Sequence, residues 1–165
     1  MHRIIKLSRK YMYIRIIAVG KTKDQYLQEG IGEYLKRITK FAKVELVIVE
    51  EHKTTKNVLP AAAKEAEAQQ IINQLKDDEF TVALDENGEQ PDSEVFAQII
   101  DSAKATGKLT FIIGGHFGLH QSIFDKANKK LALSKLTFTH QMVRLILLEQ
   151  IYRGFCISTG KKYHY

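Results

Sequence analysis

The glycine-rich segment Gly114-Gly115-His116-Phe117-Gly118 follows directly on the apolar run Leu109 to Ile113. Glycines after a strand let backbone come close to a ligand, as a nucleotide-type pocket requires, although such a pair is also an ordinary turn signal. The spacing is not G-x-G-x-x-G, and no G-x-x-x-x-G-K-[ST] occurs, so dinucleotide and triphosphate chemistry lose support. His116 and His120 stand four apart, but Gly114, Gly115 and Gly118 oppose the helix that a zinc pair needs, and no cysteine or carboxylate cluster accompanies them. Ser134 lacks the G-x-S-x-G setting of a serine hydrolase. The tail Lys161-Lys162-Tyr163-His164-Tyr165 interleaves aromatics with lysines, which suits stacking on an exposed base beside a phosphate; a frayed terminus is the alternative. Arg144, Glu149 and Arg153 interrupt an apolar stretch. Those charges must pair internally or lie at a subunit interface that carries an active-site arginine.

The elements that must position these residues alternate between β-rich runs and helical periodicity. Strands are expected at Tyr13 to Val19, Val44 to Val49, Phe80 to Leu84, Leu109 to Ile113 and Leu131 to Leu133. Leu27, Ile31, Tyr34, Leu35 and Ile38 mark a first helix, and Ala61 to Lys76 a second of high helix propensity. The third strand is expected to close in a tight Asn87-Gly88 turn with positive φ. Asp92 or Ser93 caps a third helix, which Gly107 ends; Ile123 to Asn128 is a short helical piece, and Gln141 to Phe155 a long apolar helix. The alternation predicts an α/β fold, a largely parallel sheet with helices on both faces. Ligands in such sheets bind beyond the carboxyl ends of the strands, where Leu84-Asp85, Gly114-Gly115 and Ser134-Lys135 would meet.

Composition narrows the class. A chain of 165 residues, 44% hydrophobic and 27% charged, has the material for one domain with a real core. The single cysteine, Cys156, excludes an internal disulfide and points to a reducing, cytoplasmic compartment, with core packing as its expected role. No apolar run is long enough to span a bilayer, and Arg3, Lys6, Arg9, Lys10 and Arg15 interrupt any signal-peptide core, so no membrane partner is expected. The net charge of +6 is polarised: residues 1–11 carry +4, residues 121–165 carry +6, and the stretch between is acidic. That distribution suits a phosphate-bearing partner on one side, and equally a set of solvated helical lysines. Because Met12 directly precedes the first strand, it is an alternative start, which would make residues 1–11 an upstream extension and 12–165 the single domain.

From Met12 to Tyr165 the chain resembles the ribosomal large subunit methyltransferase H family, minimal members of the knotted SPOUT methyltransferases. The resemblance rests on Ala18-Val19-Gly20-Lys21, Glu33 to Arg37, Leu84-Asp85, Ile112 to Gly115, Gly118-Leu119, Leu133 to Phe138, His140 to Arg144, Glu149 to Arg153 and Tyr163-His164. It implies a trefoil knot in the C-terminal half, an exception to the rule that chains do not thread loops. It also implies a homodimer, S-adenosyl-L-methionine as methyl donor without a metal, and transfer to N3 of a pseudouridine in 23S ribosomal RNA of the assembled ribosome. Carried over, Leu84, Gly114, Leu133, Ser134, Lys135, Leu136, Thr137 and Phe138 would line the cofactor pocket, and Arg153, Tyr163 and His164 would serve the target base. His164, with a reference pKa near 6.5, is the candidate base beside Tyr163. Tyr165 departs from the family pattern, which places Lys or Arg after Tyr-His. A methyltransferase of another RNA, such as transfer RNA, and a ribosome-binding factor without catalysis are the competing readings.

Overall fold

Strands and helices alternate along the chain in a computed structural model that describes residues 11–56 and 59–163. In order they are β1 (Met12–Val19), α1 (Gln25–Ile38), β2 (Ala42–Val49), α2 (Pro60–Gln74), β3 (Phe80–Glu89), α3 (Ser93–Ser102), β4 (Lys108–Ile113), α4 (Gln121–Phe124), β5 (Lys129–Leu131) and α5 (His140–Ser158). The five strands form one sheet in the order β2-β1-β4-β3-β5, and every pairing is parallel. The expected α/β class is therefore the observed one.

The central strands β1 and β4 are buried on both faces, which is why they read as near-continuous Ile, Val and Phe rather than as an alternating pattern. Ile14, Ile16 and Ala18 of β1, with Leu109, Phe111 and Ile113 of β4, pack into a core shared with α1, α3 and α5. Their alternates Ile17, Val19 and Ile112 face the opposite core, closed by α2 and α4. Helices thus cover both faces. The helices begin as their sequences dictate: Pro60 opens α2, the Asp92 carboxylate accepts from the Val95 N–H at 2.8 Å to cap α3, and Thr139 Oγ1 accepts from the Met142 N–H at 3.3 Å to cap α5. The third helix ends before the expected Gly107, at Ser102 with Ala103 as its C-cap; Gly107, at φ +71°, closes the turns that follow by donating to the Ala103 carbonyl at 3.0 Å.

Three further local expectations are corrected. Asn87-Gly88 is not the expected tight turn: β3 continues through it as an irregular bulge, with both Leu84 and Glu89 opposite Leu131, and Gly88 does not have a positive φ. Glycine is needed there for space, since a Cβ would lie 2.5 Å from the Leu131 carbonyl carbon. The fifth strand lies two residues earlier than expected, at Lys129–Leu131, because Lys129 and Lys130 pair with Val82 and Ala83; Leu133 belongs to the loop that follows. The short helix likewise starts earlier, at Gln121, because the His120 ring caps it by accepting from the Ser122 N–H at 3.3 Å. Residues 1–10 of the proposed extension, and the tail beyond Tyr163, lie outside the described residues.

Candidate active site

The carboxyl ends of β3, β4 and β5 open onto a cleft of about 970 Å³. Leu84 and Asp85 come from β3, Gly114 to Leu119 from the loop after β4, and Leu133, Ser134 and Leu136 to Phe138 from the loop after β5. The three connections singled out in the sequence do meet. Lys135 is the exception, since it is exposed and does not line the cleft. The glycines are required by packing: a Cβ on Gly114 would sit 2.7 Å from the Gly118 carbonyl carbon, and Gly118 adopts φ +75°. The loop after β5 is braced by Ser134 Oγ, which accepts from the Leu136 N–H at 2.9 Å. Leu136 (74% exposed), Phe138 and Phe117 leave apolar edges at the rim. Sequence reasoning missed Asp24, Lys64, Glu86 and Asn87 on this lining; Asp24 has the usual character of a helix-capping residue, and nothing in the spacing of Lys64 brings α2 to the cleft.

Buried polar groups hold the cleft from behind. Arg144 is 1% exposed; its Nη2 donates to the Val19 carbonyl at 2.6 Å and its Nη1 to Thr22 Oγ1 at 2.9 Å. Gln141 Oε1 accepts from the Lys23 N–H at 2.7 Å, so the first turns of α5 grip the β1–α1 connection beside Asp24. Burial, reinforced by the Arg144 charge, lowers the His140 pKa, which keeps this cleft-lining ring neutral near pH 7. Glu67 of α2 is also buried; its Oε1 accepts from the His52 N–H at 3.0 Å, and Oε2 lies beside Gly115. Burial raises the Glu67 carboxyl above the ordinary carboxylate range, an effect the His52 N–H partly opposes.

Arg153 and Tyr163 line a second cavity, of about 780 Å³, together with Lys161, Lys162, Ile157 and Asp92 to Glu94 at the start of α3. Arg153 donates to Glu149 Oε1 through Nη2 at 2.6 Å and Nε at 3.1 Å, and its guanidinium carbon stands 4.3 Å from the Tyr163 ring centroid. The Tyr163 hydroxyl donates to the same Glu149 oxygen at 2.9 Å. Burial, then the hydrogen bonds with Tyr34 and Glu149, push the Tyr163 hydroxyl well above its usual range, so it keeps its proton at neutral pH. Of the isolated charges of α5, Glu149 and Arg153 thus pair with each other, whereas Arg144 is met by the neutral Val19 carbonyl and Thr22 hydroxyl. His164, the third residue expected at the target base, lies outside the described residues. Among the described residues no cluster of His, Cys, Asp and Glu is arranged to hold a metal ion, and no helix is long and apolar enough to cross a membrane.

The family model described as "Predicted SPOUT methyltransferase" matches residues 12–164. The chain is 46% identical to a protein of Clostridium beijerinckii named ribosomal RNA large subunit methyltransferase H, with 93% of this chain and 99% of that one covered. Proteins with the same name from Lacticaseibacillus casei and Enterococcus faecalis are 45% and 42% identical over the same shares. Among solved structures, a methylase family protein from Neisseria gonorrhoeae shares the fold at a TM-score of 0.52 and 13% identity, covering 88% of this chain and 84% of that one.

Proposed function

The chain belongs to the SPOUT methyltransferase family, and from that premise we propose that it transfers the methyl group of S-adenosyl-L-methionine to N3 of a pseudouridine in 23S ribosomal RNA within the assembled ribosome. The observation that carries this reading is the glycine-lined cleft at the ends of β3, β4 and β5, in a chain whose near-full-length relatives are named ribosomal RNA large subunit methyltransferase H.

The cleft fits the cofactor by size and by chemistry. Its volume falls at the upper end of small-molecule sites. Backbone from Leu84, Gly114, Leu133, Ser134 and Leu136 to Phe138 would offer the donors and acceptors that read an adenine edge, and the Asp24 and Glu86 carboxylates suit a cationic ligand, Asp85 being paired with Lys130 at 2.9 Å. When bound, S-adenosylmethionine supplies a methyl group already activated by its sulfonium. The protein's own task is alignment of the nucleophilic nitrogen and removal of its proton. Arg153 would grip the base or a phosphate as negative charge develops, and Tyr163, which holds its proton, would orient or stack on the ring. The proton then falls to His164, whose ordinary pKa leaves much of it neutral at pH 7.

Gln141 at the cleft and Arg153 at the second cavity both belong to α5, where the rise per residue separates them by ~18 Å. That separation supports the homodimer implied by the family, in which one protomer's tail can complete the cleft of its partner. Family membership likewise supports the trefoil knot, and Lys161 and Lys162 provide phosphate contacts where Tyr165 replaces a basic residue.

The test is to incubate the protein with labelled S-adenosylmethionine and, in parallel, intact ribosomes and naked ribosomal RNA from cells lacking the activity, then map the label. One labelled pseudouridine in assembled ribosomes is the expected result. Label only on another RNA would replace the substrate, and absence of cofactor binding would reduce the protein to a binding factor. Arg153→Ala should lower transfer at least ~100-fold while cofactor affinity is unchanged; wild-type activity in that variant would remove Arg153 from the site.

A further inference from the structure

We infer that Glu149 is a positioning residue for this reaction: its carboxylate docks the C-terminal tail and sets the orientation of Arg153, without itself meeting the substrate. The inference rests on the functional reading above.

Glu149 stands on α5, four residues before Arg153, with its side chain 20% exposed. A single oxygen, Oε1, receives Arg153 Nη2 at 2.6 Å, Arg153 Nε at 3.1 Å and the Tyr163 hydroxyl at 2.9 Å. The other oxygen, Oε2, receives Gln150 Nε2 at 2.6 Å, which fixes the rotation of the carboxylate. Both residues that Oε1 holds face the second cavity, whereas Glu149 does not line it. It therefore acts through them. The tail carrying Tyr163 makes no part of any helix or strand; the Lys161 N–H donates to the Cys156 carbonyl at 2.9 Å and the Lys161 ammonium lies over the Phe41 ring, and beyond these the position of Tyr163 depends on its side-chain contacts. Besides Glu149 they are the Tyr34 hydroxyl at 3.4 Å, the edge-on Tyr152 ring at 5.3 Å and the Arg153 guanidinium over the ring. Glu149 bonds to both Tyr163 and Arg153, and its bonds to Arg153 are charge-assisted at both ends, the stronger kind of hydrogen bond. The ion pair also neutralises the Arg153 charge within α5, so its main contribution is the direction in which the guanidinium points. Small misplacements of such groups cost on the order of 100-fold in rate.

The test compares Glu149→Ala and Glu149→Gln in the full-length protein. Glutamine keeps an Oε1 acceptor for the three donors from Arg153 and Tyr163, and loses the charge and the acceptor for Gln150 Nε2. Three readouts are taken: hydrogen exchange of the backbone at 160–163, kcat and KM for ribosome methylation, and S-adenosylmethionine affinity with thermal stability. Glu149→Ala should speed exchange in the tail at least ~10-fold and lower kcat by ~10–100-fold, with cofactor affinity within about twofold of wild type. Glu149→Gln should restore kcat to within about fivefold of wild type. Equal loss in both variants would overturn the inference, because charge and not placement would then matter. So would wild-type tail exchange in Glu149→Ala, or a parallel fall in cofactor affinity and melting temperature, which marks a merely structural role. If the wild-type protein methylates no ribosome, it is the functional reading that fails, and the tail exchange still decides whether Glu149 docks the tail.

Discussion

Two acidic side chains of similar chemistry end in opposite situations, and their surroundings account for it. Glu149 is ringed by donors and serves as a hub; Glu67 is buried with one backbone donor, and burial dominates its titration. A carboxyl whose folded pKa exceeds its unfolded one holds more protons when folded. Its stability contribution is therefore lost as pH rises from the ordinary carboxylate range through the raised value. Glu67→Gln keeps the acceptor for the His52 N–H and cannot ionise, so it should melt ~2–4 °C above wild type at pH 7, the gap closing near pH 4. Thermal scans at the two pH values check this, and a lower melting point at pH 7 would show that the Glu67 charge is satisfied after all. Sequence patterning picked out Arg144, Glu149 and Arg153 because charges in an apolar stretch need partners. It could not say that Arg144 reaches a β1 carbonyl while Arg153 pairs with Glu149 one turn before it, since the first partner is 125 residues away.

The elements were readable wherever local periodicity and burial agree. β1, β4, α1 and α3 fall where their apolar spacing puts them. The misreadings cluster at β3 and β5, where the structure uses glycine for proximity and not for a turn. Gly88→Ala should cost ~1–3 kcal/mol or more in urea unfolding, because a Cβ there would meet the Leu131 backbone and must push β5 away. Gly32→Ala on exposed α1, with nothing within 4 Å, should instead stabilise by ~0.5–1 kcal/mol. Equal effects at the two positions would refute the packing argument. At the opposite end of the sheet from the cleft, Arg15 of β1 donates to Glu79 at 2.9 Å, and Glu79 also accepts from Thr110 of β4 at 2.8 Å. Both ionic side chains are almost fully buried, so Glu79→Ala takes from Arg15 its buried carboxylate, leaving the exposed Glu45 at 3.4 Å, and should cost ~3–5 kcal/mol. A loss below ~1 kcal/mol by denaturant titration would mean that Gln74 and Glu45 suffice as partners of Arg15.

At the scale of the whole molecule, the basic C-terminal third collects Arg153, Lys161 and Lys162 around one cavity. If the proposed ribosomal substrate is met there, ribosome affinity should fall with salt. Replacing Lys161 and Lys162 together by alanine should reduce the slope of log K against log salt by ~1–2, as two phosphate contacts predict. An unchanged slope in filter-binding titrations would place those lysines away from RNA. The sequence by itself determined the α/β class, the parallel sheet, most element positions and the three connections that form the cleft. These follow from local rules: periodicity reports burial, and ligand sites in parallel sheets lie at strand carboxyl ends. Only the tertiary structure decided that Lys135 is exposed and does not line the cleft while Asp24 and Lys64 join it. It alone decided that Asn87-Gly88 passes under Leu131 instead of turning, and that one Glu149 oxygen gathers Arg153 and Tyr163. Each of those outcomes depends on contacts between segments distant along the chain, and such contacts leave no period or spacing for a single sequence to display.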